Sequence, residues 1–482
     1  MTLSNRLLFN PIFLMIFYVG ISLIACTSTS FKKDEVISKD GIWLQLGYGK
    51  IFEIAGDSVK IYDVSSVECR LFEQELLASN GVIDRLTADS LILKKNIKTY
   101  RFTRMKELPK RCSMITSNPQ DPILNFEVFW NTFNEQYCFF DKRNIDWDEI
   151  YHIYRGKISE KTSQLELFLL FDEIITLLDD GHVQLEEPDI LEDTLASLSV
   201  AEPQQSARPL MNRFELGDKI AEIYCEDVSS HNAGIGKWGI LDKGMGYVQL
   251  NAMWLLAYYD LPSDLPLREF VPIYGEHMDT RVFQRQDEID GADRLSDIIF
   301  EDLQKAYAII IDLRFNTGGK DEVGLEILGH LVKEKKLIGS KKARLDEGFA
   351  NHQNIYLQPR EPHYAGNVYV LSSLYTASAA ELALIATIPL ENVQIIGSNS
   401  EGILSDRLEK GLPNGWEYSL SNEIYLDING IDHEGVGINP DISLDYPAQK
   451  ASLINQILHQ LDTTGDMAIE EAIRIEAQNR QK

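Results

Sequence analysis

The sequence predicts a mixed α/β protein in three parts: a small N-terminal antiparallel β domain, a helical bundle and a C-terminal α/β region. Three observations carry this. Short alternating segments such as Lys50-Ile51-Phe52-Glu53-Ile54 and Val59-Lys60-Ile61-Tyr62, broken by turn residues, run from Gly41 to about Met105, with the period of two of half-buried strands. The apolar period then lengthens: Phe126, Phe129, Trp130 and Phe133, and after them Trp147, Ile150, Ile153 and Tyr154, fall at helical spacing. Last, Ala308-Ile309-Ile310-Ile311-Asp312-Leu313 is a nearly unbroken apolar run, the pattern of a strand covered on both faces.

Taken in order, residues 1–25 read as a secretory signal, with Arg6 ahead of an apolar stretch that ends in Leu23-Ile24-Ala25-Cys26. That ending looks like a bacterial lipobox, which implies cleavage before Cys26 and lipid on its sulfur. Residues 26–40 are a polar tether and 41–118 the small β domain. Ser117-Asn118-Pro119-Gln120-Asp121-Pro122 punctuates the change to the bundle, 119–190, whose third helix is announced by Ser163 with Glu166 three residues on. Leu167, Leu170, Phe171, Ile174, Ile175 and Leu178 give that helix its apolar face, and it delivers the chain into Asp179-Asp180-Gly181-His182. A connecting β or irregular region spans 191–245. The α/β part covers 246–448, with strands expected at Gly246–Leu250, Ala308–Leu313, Asn367–Leu371 and Val393–Ile396, and 449–482 is a helical tail.

Composition narrows the function. A formal charge of −28 argues against nucleic acid as a partner. The nine His are scattered and no Cys/His group has metal-ligand spacing, so neither a metal nor an organic cofactor is expected. An oxidising compartment permits Cys69 and Cys112 to pair, but spacing does not fix connectivity.

The chemistry centres on Val368-Tyr369-Val370-Leu371, the turn Ser372–Tyr375, and the helix start Thr376-Ala377-Ser378-Ala379-Ala380-Glu381. A serine there sits at the positive end of a helix beside free N–H groups, as a nucleophile with an oxyanion hole requires. Ser378 or Thr376 as a plain helix cap meets the same local pattern. Remote residues separate the two readings: His182 after the third bundle helix, the Gly318-Gly319 pair after a buried strand, and Glu434 in a turn-rich segment.

Leu-Asp-Asp-Gly-His (178–182), Asp-Leu-Arg-Phe-Asn-Thr-Gly-Gly (312–319), Thr-Ala-Ser-Ala-Ala-Glu (376–381) and Glu-Gly-Val-Gly-Ile-Asn-Pro-Asp (434–441) stand in an order that resembles the family of the C-terminal processing peptidases, tricorn proteases and interphotoreceptor retinoid-binding proteins. The resemblance covers roughly 120–448 and leaves the β domain outside. It implies a crotonase-like (ClpP-like) spiral of ββα units over 246–448.

Of the family's two catalytic styles, the Ser–Lys dyad expects a lysine some two dozen residues after the serine. Here Asn399–Asp406 holds none, and the first lysine is Lys410. A PDZ domain is also not evident in the 63 residues between His182 and Gly246. The tricorn-like style uses Ser, His and Glu, which implies Ser378 as nucleophile, His182 as base and Glu434 as the orienting carboxylate. Ala379, Gly318 and Gly319 would supply the oxyanion N–H groups. The serine that precedes the histidine in tricorn is Gly181 here. The reading is a lipid-anchored serine peptidase of a bacterial cell envelope, periplasmic or outer-membrane, acting on peptide or protein substrates. A non-catalytic binder of apolar ligands or peptides on the same scaffold, and a docking role for the β domain, are the alternatives.

Overall fold

The structure is a computed structural model describing residues 37–114, 118–191, 195, 209–241, 244–262 and 265–481. The signal segment, Cys26 and most of the tether lie outside the described residues.

Alternation produces the first sheet. β1 (Gly41–Gln45), β2 (Lys50–Ala55), β3 (Ser58–Val64), β4 (Cys69–Leu76), β5 (Val82–Leu86), β6 (Ser90–Lys95) and β7 (Lys98–Met105) form one antiparallel sheet in the order β4-β3-β2-β1-β7-β6-β5. One face buries Trp43, Phe52, Ile54, Val59, Leu91, Leu93 and Phe102 together. On the other, Cys69 bonds Cys112, so the pairing that spacing left open is made.

The bundle follows its caps. α1 (Pro122–Gln136) starts with Pro122 at its first position and Asp121 accepting from Ile123 N at 3.0 Å. α2 (Trp147–Arg155) is capped by Asp146, and α3 (Gln164–Leu178) by the expected Ser163–Glu166 box. The aromatic residues form the core, with Phe129 stacked on Phe171 at 4.4 Å between ring centres. α3 stops at Asp179, whose φ of +48° turns the chain away from the helix and leads into the short β8 (Gln184–Leu185).

The rest of the chain supplies α4 (Arg213–Tyr224), β9 (Cys225–His231), β10 (Gly236–Leu241), β11 (Gly246–Leu250), α5 (Leu267–Asp279), α6 (Gln284–Asp302), β12 (Ala308–Asp312), α7 (Asp321–Leu328), β13 (Lys336–Ala343), β14 (Gln353–Leu357), β15 (Asn367–Ser372), α8 (Ala379–Thr387), β16 (Val393–Gly397), β17 (Arg407–Gly411), β18 (Glu417–Ser421), β19 (Glu423–Asp427), β20 (Ile442–Ser443), α9 (Lys450–Leu461) and α10 (Met467–Asn479). The main sheet of this part, also seven-stranded, has the order β20-β16-β15-β12-β11-β10-β9. β11, β12, β15, β16 and β20 run parallel. β12 is buried along its whole length, as its unbroken apolar run requires. β13, β14 and β19 form one small sheet, and β17, β18 and β8 another. The bundle core continues onto β18 through Tyr418 and Leu420.

Two expectations are corrected. The 191–245 stretch is not merely connecting: it supplies α4 and the strands β9 and β10 of the main sheet. β9, Cys-Glu-Asp-Val-Ser-Ser-His, is an edge strand mostly open to solvent and lacks an apolar alternation to announce it. Nor is 449–482 a tail: Leu453, Ile454, Ile457, Ala468, Ile469 and Ala472 share a core with Ile310, Tyr369 and Ile396 of the main sheet. The fully buried Arg314 fastens it, donating to Asp466 at 2.8 and 2.9 Å and to Asp312 at 2.6 and 3.0 Å. Among the described residues no helix is long and apolar enough to cross a membrane.

Candidate active site

Parallel strands place functional loops at their carboxyl ends, and here the ends of β12 and β15 meet. Asn316, after β12, is the knot. Its Nδ2 donates to Leu250 O at the end of β11 (3.0 Å), its Oδ1 accepts from Gly318 N (2.9 Å), and its carbonyl accepts from Ala377 N (3.1 Å). Thr376 is buried and donates to Leu313 O at 2.9 Å, so it ties the loop down instead of capping the helix.

Ser378 then adopts φ +56°, ψ −124°, a region that residues bearing a Cβ rarely occupy. Its own N–H is held by Ile403 O at 2.9 Å and by the Glu381 carboxylate at 3.1 Å. Glu381 also accepts from Ser400 Oγ, Gly402 N and Ile403 N at 2.6–2.8 Å. Burial pushes its pKa up to about 7 against these donors. The Ser378 hydroxyl points elsewhere: Oγ lies 3.1 Å from His182 Nε2. Ser378 is also the N-cap residue of α8, in a capping box with Glu381, and the imidazole contact is what a plain cap would lack.

His182 is fixed through its main chain. Its N–H donates to Asp180 Oδ1 (3.0 Å), and its carbonyl accepts from Ser419 Oγ on β18 (2.7 Å). Burial lowers the ring's pKa below the ordinary 6.5, with Asp180 and the Ser405 main chain opposing. The ring is therefore neutral near pH 7, the form a general base needs. Accepting a proton at Nε2 requires the Nδ1–H tautomer, and Nδ1 has no partner at hydrogen-bond geometry among the described residues.

The oxyanion candidates separate. Gly318 N–H is committed to Asn316, which removes Gly318 as a donor, whereas Gly319 and Ala379 N–H have no acceptor among the described residues. Gly318 matters for its missing side chain: a Cβ there would stand 2.6 Å from the Ser378 Cβ, at a φ of +96°.

Glu434 makes no hydrogen bond to the His182 ring among the described residues, and its link to the histidine runs through the main chain. Its Oε2 accepts from Leu404 N (2.8 Å) and Ser405 N (3.2 Å), and its Oε1 from Arg143 Nη2 (3.1 Å). It acts on the loop beside His182 rather than on the ring. Burial, then the Asp180 charge, push its pKa up to about 8. A side chain at Gly181 would first meet the flexible end of the Ile403 side chain, which would have to shift to admit it. Lys410, the nearest lysine in sequence, donates to Tyr48 O (2.7 Å) and Gly49 O (2.9 Å) of the first sheet and to Asp63.

Sequence reasoning missed Arg143, Tyr137 and Asp180. Tyr137 OH donates to Asp180 Oδ2 at 2.9 Å, and Arg143 lies between Asp180 and Glu434. Asp180 stood inside the quoted motif, but Arg143, on the loop after α1, gave no signal of its own. Ser378, His182, Gly318 and Gly319 line a cleft of about 970 Å³ whose other wall comes from the first sheet, including Lys95, Lys98 and Tyr100.

The model of peptidase family S41 matches residues 245–444, and that of the tricorn protease C1 domain matches 120–176. The region that matches family S41 carries Ser378 and the glycine pair, and the chain is a serine peptidase. A candidate peptidase from Parabacteroides merdae ATCC 43184 is 21% identical, over 74% of this chain and 96% of that one, with a TM-score of 0.53, and shares the fold of this chain. The photosystem II D1 C-terminal processing protease is 13% identical over 71% and 97% of the two chains (TM-score 0.41). The tricorn protease is 14% identical over 90% and 46% (TM-score 0.42). No curated protein matches the chain.

Proposed function

We propose that this serine peptidase cleaves peptide bonds through an acyl-enzyme, with Ser378 as nucleophile and His182 as base. Ser378 Oγ attacks the scissile carbonyl carbon while its proton passes to His182 Nε2. The resulting oxyanion is held by the N–H groups of Gly319 and Ala379, donors of a kind worth about 3–4 kcal/mol each in barrier. Collapse expels the amine, which takes the proton from His182, and water then hydrolyses the ester by the reverse proton path. Glu434 serves as a positioning residue, gripping the Leu404–Ser405 main chain beside the histidine.

The observation that carries the reading is the hydroxyl–imidazole contact at 3.1 Å from a serine held in a strained conformation. Strain at a single residue persists where surrounding bonds over-determine it, and such residues cluster at functional sites. The Leu-Ile-Ala-Cys ending at Cys26 supports a lipid anchor and an envelope location on the outer side of a bacterial inner membrane or at the outer membrane.

A fluorophosphonate probe mapped by mass spectrometry tests the nucleophile: the adduct is expected on Ser378 and is lost in His182→Ala. Labelling of a different serine sinks the assignment. Loss of detergent-phase partitioning in Cys26→Ala tests the anchor separately.

A further inference from the structure

The wall opposite Ser378 belongs to the segment that the family resemblance leaves out. Lys95 ends β6 and Lys98 begins β7, and both border the same cleft as Ser378, Arg285 and Lys320. Lys320 directly follows Gly319, and Arg285 opens α6. With Lys50 and Arg407, six cations thus line one cleft beside five carboxylates, a basic concentration in a protein whose formal charge is −28.

Their bonding is unequal. Arg285 is held by Glu322 at 2.7 Å, and Lys98 pairs with Asp406. Lys95 and Lys320, each half-buried, have neither an ion pair nor a side-chain hydrogen bond among the described residues. Burial, and next the charge of Arg285, lower the pKa of both, with Glu75 and Glu322 opposing at Lys95 and Glu288 and Glu322 at Lys320, none of them in bonding contact with either ammonium group. A half-buried ammonium without a bonded partner is unfavourable, and ammonium groups lining one cleft attract an anion that can bond them.

The acidic lining does not neutralise them by contact. Glu75 is bonded by Ser79 and Asn80, and Glu401 by Lys450. Burial and Glu75 raise the pKa of Glu73, with Lys50 and Lys95 opposing, so this acidic group lies within the field of Lys95 without bonding it.

We propose that Lys95 and Lys320 form a carboxylate-binding subsite of the peptidase cleft, through which the enzyme selects peptides carrying a carboxylate close to the scissile bond. The subsite rests on the reading of Ser378 as nucleophile, which sets where that bond lies. The carboxylate has two possible sources, an Asp or Glu side chain and a free C-terminus.

The test reads binding apart from catalysis, on the full chain carrying Ser378→Ala, by fluorescence anisotropy of labelled peptide pairs. One series exchanges Glu for Gln at each position in turn, and a second compares free with amidated C-termini. The carboxylate-bearing member of one series is expected to bind about tenfold more tightly, the worth of one charge-assisted hydrogen bond. The series that responds identifies the source. Lys95→Gln with Lys320→Gln should bring that ratio close to one, Lys320→Glu should invert it, and Lys320→Arg should keep it, which separates loss of charge from misfolding. Equal binding within every pair, no binding of any acidic peptide at about 1 mM, or a ratio that survives the double substitution overturns the subsite. Failure of the wild type to hydrolyse peptides or take the probe counts against the Ser378 assignment alone.

Discussion

Arg143 Nη2 lies 3.1 Å from Glu434 Oε1 and 3.7 Å from Asp180 Oδ2, so one guanidinium joins the two buried carboxylates flanking the histidine segment. Asp180 holds the His182 main-chain N–H, and Glu434 holds the loop at Leu404 and Ser405. Removing one partner of a buried ion pair leaves an uncompensated charge and costs about 3–5 kcal/mol. Arg143→Gln is therefore expected to lower the unfolding free energy by that order and to depress kcat. The charge left uncompensated is that of Asp180, because Glu434, its pKa already raised to about 8 by burial and by Asp180, is protonated near neutral pH; adding Asp180→Asn should therefore restore part of the stability. Urea titrations of the two single variants and the double variant measure the coupling, and simple additivity would show that the pair does not act as one unit.

Glu434 also sets a pH dependence. Its folded pKa is raised, to about 8, by burial and by Asp180. A raised group contributes stability that is fully present below the unfolded carboxylate value of about 4.5 and is lost as pH rises through about 8. The wild type should lose stability across that window and Glu434→Gln should lose less. Thermal unfolding at pH 5 and pH 8.5 checks the slope.

Strain at Ser378 predicts a separation of stability from activity. Ser378→Ala should abolish turnover, by about a thousandfold or more, while keeping the strained φ of +56°. Ser378→Gly should be equally inactive yet more stable than the alanine variant by about 1 kcal/mol, since glycine occupies this region without a Cβ penalty. A glycine variant less stable than the alanine one would mean that the conformation is not strained.

The base predicts an acid limb. Burial lowers the His182 pKa, so kcat/KM should hold steady as pH drops past 6.5 and fall only below it, as the ring protonates. A limb at or above 6.5 in the pH profile would contradict the buried neutral ring.

Gly318→Ala should inactivate without unfolding the chain. The added Cβ would stand 2.6 Å from the Ser378 Cβ and 2.8 Å from Ala377 O, displacing the nucleophile loop rather than the core. Circular dichroism alongside probe labelling of the same preparation reads both quantities.

Much of the scaffold was legible because its signals are local. The alternation in β2 and β3, the Ser163–Glu166 box and the buried run of β12 each record an element's own burial pattern. β9 and the roles of α9 and α10 were not, because an exposed edge strand has no pattern to display and amphipathic helices do not name the surface they cover. At the site, motif order nominated Ser378, His182 and the glycine pair, and the folded chain brings these together in one cleft. It did not show that Gly318 N–H is taken by Asn316, or that Glu434 grips a loop instead of the imidazole.

By itself, then, the sequence determined which residue types stand at the strand ends and helix starts, since those follow from periodicity and capping along the chain. Only the tertiary structure decided which N–H groups stay free, which carboxylates share Arg143, and that Lys95 and Lys98 of the first sheet face the serine. Pairs such as Arg143 with Glu434 and Ser378 with His182 depend on distance in space, which no spacing along the chain encodes, and even the bond between Asn316 and Gly318 depends on a loop conformation set by the strands around it.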